Sequence, residues 1–119
     1  MKRVLIIEDD AWQAEMMKQV LTQHDFVAEV APDGLAAFTV IDTHAPDAIV
    51  LDMMLPGPNG MAFLHELRTH SDIAQIPVVI CSNQTLALES LQPYGVRAVL
   101  DKSTMRPDDV VYALRKALS

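Results

Sequence analysis

The 119-residue chain carries a single cysteine, Cys81, so no internal disulfide can form and the composition fits a reducing compartment. Long apolar runs are also missing. Val4-Leu5-Ile6-Ile7 is typical of the runs present, far below the roughly 20 residues that a membrane-spanning helix needs. Lys2 and Arg3 precede that run, but Glu8, Asp9 and Asp10 follow at once. A secretory leader needs a longer apolar segment and a small-residue cleavage site. The expectation is a cytoplasmic chain with no membrane partner. Basic residues are scarce, nine Lys and Arg against sixteen Asp and Glu, for a net charge of −7. That balance offers no patch to neutralise phosphates, so direct nucleic-acid binding is not expected.

What is present is globular. Half the residues are apolar and 21% are charged, and a chain of this length buries a sizeable core. No repeat, low-complexity tract or linker interrupts it, so residues 1–119 are read as one domain. Lys2 to Ile7 predicts a buried strand. Asp10 is placed to cap a helix in which Trp12, Met16, Val20 and Leu21 recur at helical spacing up to about His24. Phe26 to Ala31 predicts a second strand, followed by turn punctuation at Pro32-Asp33-Gly34 and a helix marked by Leu35, Phe38 and Ile41. Ala48 to Leu51 predicts a third strand that stops at Asp52. After a loop rich in breakers, Met61, Leu64 and Leu67 mark a third helix. Pro77 to Cys81 predicts a fourth strand, Gln84 to Leu91 a brief fourth helix, Val96 to Leu100 a fifth strand, and Pro107 opens a last helix through Leu118. Apolar strands alternating with amphipathic helices imply an α/β fold, a doubly wound parallel sheet of five strands with five helices.

In such open sheets, ligands bind beyond the carboxyl ends of the strands. Glu8 and Asp9 follow the first strand, Asp52 ends the third, Ser82 follows the fourth and Lys102 the fifth. Three carboxylates brought together would raise one another's pKa. A hard divalent cation relieves that, and Mg2+ takes a few carboxylates while keeping several waters. A cation, a lysine and a hydroxyl around one carboxylate suit phosphoryl transfer, with Asp52 as the nucleophile. Each residue also has a plainer explanation. Acids at 8–10 favour a helix N-terminus, Ser82 can cap a neighbouring segment, and Cys81 is a small core residue. The four histidines lie on different elements or off helical register, and suggest no site.

Taken together, Val4-Leu5-Ile6-Ile7-Glu8-Asp9-Asp10, Ile49 to Gly60 with Asp52 inside it, Pro77 to Ser82, and Leu100-Asp101-Lys102 resemble the receiver domain of two-component response regulators. The resemblance covers essentially the whole chain. It implies a flavodoxin-like strand order of 2-1-3-4-5 and phosphorylation of Asp52 by a sensor histidine kinase or phosphotransfer protein. Mg2+ would be held by Asp9, Asp52 and the main-chain carbonyl of Met54, with Glu8 helping through a water. Ser82 and Lys102 would contact the phosphoryl oxygens and report to a surface made by the fourth helix, fifth strand and fifth helix, where an output partner or a second copy would pair. The domain would assist its own phosphorylation and slow dephosphorylation without being a turnover enzyme.

Four departures from the family pattern stand out. Val99 replaces the Tyr or Phe usual three residues before the lysine. Ser103 replaces the usual cis-proline after it, so that loop is expected to take another path. Asn83 replaces a small residue, and the stretch between Ser82 and Lys102 is short, which predicts a truncated fourth helix. These motivate an alternative, a degenerate receiver that binds partners without being phosphorylated. Enzyme readings fit less well: an aspartate phosphohydrolase would carry Asp where Met54 stands, and a dinucleotide enzyme would need glycines where Glu8-Asp9-Asp10 stands.

Overall fold

The five strands alternate with helices along the chain in a computed structural model that describes residues 1–57 and 59–119. Pro58, part of the breaker-rich loop in the sequence motif, lies outside the described residues. The elements run β1 (Arg3–Ile7), α1 (Ala11–Gln23), β2 (Val27–Ala31), α2 (Gly34–Thr43), β3 (Ala48–Asp52), α3 (Gly60–Thr69), β4 (Val78–Ser82), α4 (Leu88–Leu91), β5 (Val96–Asp101) and α5 (Pro107–Leu118). All neighbouring strands pair in parallel, in the order β2-β1-β3-β4-β5. Both the fold class and the strand order are those expected.

Strand side chains alternate between the faces of the sheet, and two apolar layers result. Leu5, Ile7, Ile49, Leu51, Val78 and Ile80 pack with Ala37 and Ile41 of α2 and Phe63, Leu64 and Leu67 of α3. Val4, Ile6, Ala48, Val50, Val79 and Cys81 pack on the other face with Leu21 of α1 and Val110, Val111 and Leu114 of α5. β1, β3 and β4 are inner strands covered on both faces, which is why they read as unbroken apolar runs.

The helices start where their caps allow. The Asp10 carboxylate accepts from the Gln13 N–H, Asp33 from Ala36 and Asn59 from Ala62, each satisfying a donor left free in the first turn. Pro32-Asp33-Gly34, expected as a turn, therefore contributes a cap and the first residue of α2. Pro107 opens α5 at the first helical position.

One local expectation needs correction. The fourth helix, expected over Gln84 to Leu91, is four residues followed by a 3-10 turn over Gln92–Tyr94. The Gln84 N–H donates to the Ser82 hydroxyl, and the helix begins only at Leu88. In α1, the buried residues are Ala14 and Leu21, whereas Trp12 and Met16 are 72% and 46% exposed. Their stripe lies over a gap between α1 and α5 rather than on the sheet.

Candidate functional site

That gap is a cleft of about 210 Å3 whose apolar walls include Ile6, Trp12, Met16, Met17, Val20, Val50, Cys81, Met105 and Pro107. Its polar end is made by Glu8, Gln13, Asp52 and Lys102. Strand alternation explains why these groups meet. Val4 and Ile6, Ala48 and Val50, Val79 and Cys81, Ala98 and Leu100 all belong to the layer shared with α1 and α5. Carried on at a period of two, the pattern puts Glu8, Asp52 and Lys102 on that same side.

Main-chain bonds hold the strand ends. The Glu8 N–H donates to the Ala31 carbonyl at 3.0 Å, and the Lys102 N–H to the Ser82 carbonyl at 2.9 Å. Around them the side chains converge. Lys102 Nζ lies 2.5 Å from Glu8 Oε1, 2.9 Å from Gln13 Oε1 and 3.3 Å from Asp52 Oδ2. The Met54 N–H donates to Asp52 Oδ1 at 3.0 Å. One oxygen each from Glu8, Asp9 and Asp52 lies within 4.8 Å of the others. Glu8 and Asp52 are buried, while Asp9 is exposed at the rim.

The electrostatics follow from this packing. Burial pushes the Glu8 carboxyl up to about 7, and the neighbouring Asp52 adds to the rise, against the pull of the Lys102 ammonium and the Asp10 N–H. Burial would lower the Lys102 pKa, but its hydrogen bond to Glu8 and the charges of Glu8 and Asp52 outweigh that and raise it. Burial likewise pushes the Cys81 thiol up to about 12, the behaviour of an inert core cysteine. Three clustered carboxylates and one ammonium leave excess negative charge at this end of the cleft. Such a donor set fits a hard, oxygen-seeking divalent cation.

Ser82 and Met54 stand differently from the rest. Ser82 is fully buried, and its hydroxyl accepts from the Gln84 N–H. Among the described residues that hydroxyl has no hydrogen bond to Glu8, Asp52 or Lys102. The Met54 side chain is exposed, and its main-chain N–H, rather than its carbonyl, makes the bond to Asp52. Gln13 was not anticipated from the sequence, because it sits in the first turn of a helix rather than directly after a strand. Its place three residues beyond the capping Asp10, at the same end of the sheet, is the signal that could have found it. The loop after Lys102 turns without proline: Asp101 Oδ1 accepts from both the N–H and the hydroxyl of Ser103, and its carbonyl accepts from Thr104 and Met105.

A doubly wound sheet with this carboxylate and lysine cluster at its strand ends defines a class, and comparison with known proteins gives its family. The sequence pattern of the response regulator receiver domain matches residues 4–115. The chain belongs to the receiver domain family of two-component response regulators. It is 37% identical over 113 residues to a protein-glutamate methylesterase/protein-glutamine glutaminase of Cereibacter sphaeroides, covering 89% of this chain and 30% of that protein. It is 34% identical over 106 residues to the DNA-binding response regulator MtrA of Mycobacterium tuberculosis, covering 89% of this chain and 44% of that protein. The chain thus spans less than half the length of these relatives. Among solved structures, the receiver domain of the Francisella response regulator 1452 superposes with a TM-score of 0.86 at 27% identity, covering 99% of this chain and 97% of that one. The Vibrio cholerae chemotaxis protein CheY4 shares the fold, with a TM-score of 0.89 at 22% identity and 99% of both chains covered. No described helix is long and apolar enough to cross a membrane.

Proposed function

We propose that this domain is a phosphoacceptor switch in which Asp52 takes a phosphoryl group from a phosphohistidine of a sensor histidine kinase or phosphotransfer protein. The observation that carries the reading is the contact of Lys102 Nζ with both Glu8 and Asp52 in one buried pocket. In the step envisaged, an Asp52 carboxylate oxygen attacks phosphorus in line. A P–O bond forms, the P–N bond breaks, and the imidazole leaves with the bonding electrons. Later attack by water returns the carboxylate and inorganic phosphate. Glu8, Asp9, Asp52 and the Met54 carbonyl would hold Mg2+, which supplies charge neutralisation for the phosphoryl oxygens when bound. Lys102 provides a further fixed positive charge, and the Met54 N–H orients Asp52. Ser82 accepts from the Gln84 N–H and keeps its own O–H to donate to a phosphoryl oxygen, which would link phosphorylation to the segment before α4. The exposed Trp12 and Met16 beside the pocket offer an apolar landing for the donor protein.

The domain is read as a regulator rather than a turnover enzyme, acting in the cytoplasm on an output domain or partner, with α4, β5 and α5 as the surface that pairs with it or with a second copy. A second reading, a receiver that binds partners without being phosphorylated, is favoured by the short α4 and by Val99, which packs half-buried against the α2/α3 layer where the family usually carries an aromatic. Incubation with acetyl phosphate or phosphoramidate, followed by intact mass, separates the two. A single phosphoryl adduct that needs Mg2+ and is lost in Asp52→Asn supports the switch. Its absence with every donor supports the binding module.

A further inference from the structure

We infer that Gln13 is a positioning residue that holds the Lys102 ammonium over Asp52, an inference that rests on the phosphoacceptor reading above. An ammonium has three N–H donors and no acceptor. Around Lys102 Nζ stand three acceptors on three different elements: Glu8 after β1, Gln13 on α1 and Asp52 on β3. Two of them are carboxylates. The third, Gln13 Oε1 at 2.9 Å, is a neutral amide.

Its place is set by the cap of α1. The Gln13 N–H donates to Asp10 Oδ1 at 2.9 Å, which fixes the turn from which the side chain reaches across the mouth of the cleft. Lysine carries a compact charge on a flexible four-carbon stem, so its reach to Asp52 depends on what else it is bonded to. With Glu8 alone as partner, the ammonium would be free to settle on the nearer carboxylate. Gln13 draws it back from the α1 side, and as a neutral group it does so without cancelling the charge. The full cation then remains available to Asp52 and to phosphoryl oxygens placed there, where small errors of position cost rate.

The test uses two readouts. In protein without metal, the side-chain ammonium resonance of Lys102 is followed by 15N NMR in wild type, Gln13→Leu and Gln13→Glu. Gln13 is exposed and its capping bond is made by the backbone, so both variants fold. The resonance should weaken or vanish in Gln13→Leu and persist in Gln13→Glu, which keeps an acceptor. With phosphoramidate and saturating Mg2+, Gln13→Leu should lower the maximal phosphorylation rate by about fivefold, the effect of one net hydrogen bond. The Mg2+ concentration for half-maximal rate should stay unchanged. In a Lys102→Met background, Gln13→Leu should change nothing further, because the residue acts through the lysine. An unaltered resonance, an unaltered rate in the Lys102 protein, or an equal loss in both backgrounds would overturn the inference. If the wild type takes no phosphoryl group at all, the phosphoacceptor reading fails, and the resonance still decides whether Gln13 holds the ammonium.

Discussion

The Lys102 ammonium lies closer to Glu8 than to Asp52, 2.5 Å from Glu8 Oε1 against 3.3 Å from Asp52 Oδ2. Its charge is therefore spent mainly on a carboxylate that is not the proposed nucleophile. Asp52 keeps a contact with the cation and a main-chain N–H, but Asp9, at the rim, has no share in the Lys102 bonds.

The uneven sharing leads to a prediction about metal. A divalent cation entering the cluster of Glu8, Asp9 and Asp52 relieves repulsion in the folded state and has no equivalent site in the unfolded chain. Mg2+ should raise the thermal midpoint, with a stabilisation of about 2.7 kcal/mol when the free ion stands at one hundred times its Kd. EDTA should reverse the shift, and Asp9→Asn should shrink it. A midpoint indifferent to Mg2+ in calorimetry would remove the cation from the mechanism.

How much of this was readable in the sequence depends on which interaction governs each element. Inner strands are governed by burial on both faces, and the apolar runs at Val4-Ile7 and Ala48-Leu51 located β1 and β3 to within a residue. α5 was placed correctly because proline is favoured at the first helical position, and Pro107 precedes an amphipathic run. The expected fourth helix lacks its first half, and the helical spacing from Gln84 gave no sign of that. Trp12 and Met16 sit at core-like spacing, yet the stripe they form has only a cleft to face. At the site, Glu8, Asp52 and Lys102 were found because each follows a strand on the same side of the sheet. Gln13 was missed because it arrives sideways from a helix. Ser82 follows a strand too, but it belongs to the other parity, and its hydroxyl is turned to its own loop.

Gly60 sets the return of the chain after β3 onto α3. Its N–H donates to the Met53 carbonyl at 3.1 Å, and a methyl group on it would fall 2.6 Å from Met53 Sδ and 2.7 Å from Met53 Cα. The sulfur could move aside, but the backbone atom could not without shifting the residue next to Asp52. Gly60→Ala should cost about 1–3 kcal/mol, the usual range for overpacking. Urea denaturation gives that number, and slower phosphorylation should accompany it. A variant as stable as wild type would mean the loop has slack that the contact distances do not show.

The end of α1 carries a different strain. The Phe26 N–H donates to the Leu21 carbonyl at 3.0 Å and the Asp25 N–H to the Thr22 carbonyl at 3.3 Å, while Phe26 and Leu21 share one apolar cluster. This is a Schellman motif, whose left-handed position is normally glycine. Here it is Asp25, at φ 68°, an acidic residue placed just past the negative end of the helix dipole. Asp25→Gly should stabilise the domain by about 0.5–1 kcal/mol, seen as a higher urea midpoint with an unchanged slope. A lower midpoint would show that the Asp25 side chain contributes a bond worth more than the backbone strain.

The proline-free loop after Lys102 makes a prediction about pH. The hydroxyl and N–H of Ser103 both donate to Asp101 Oδ1, at 2.7 and 2.8 Å, and these bonds hold the Asp101 carboxyl below its ordinary value of 3.8. A folded-state pKa below the unfolded one contributes stability that is present above the unfolded value and is lost as pH falls through the folded one. Ser103→Ala removes the hydroxyl, the larger cause, and leaves the N–H. The Asp101 carboxyl should then titrate closer to 3.8 in carbon-detected NMR, with the wild type and variant converging in stability at the acid end of the range and separating above it. If the two carboxyls titrate together, the Ser103 hydroxyl is not bonded to Asp101 in solution. The turn would then rest on the Asp101 carbonyl and its bonds from Thr104 and Met105 alone, and Lys102 would be presented from a looser loop.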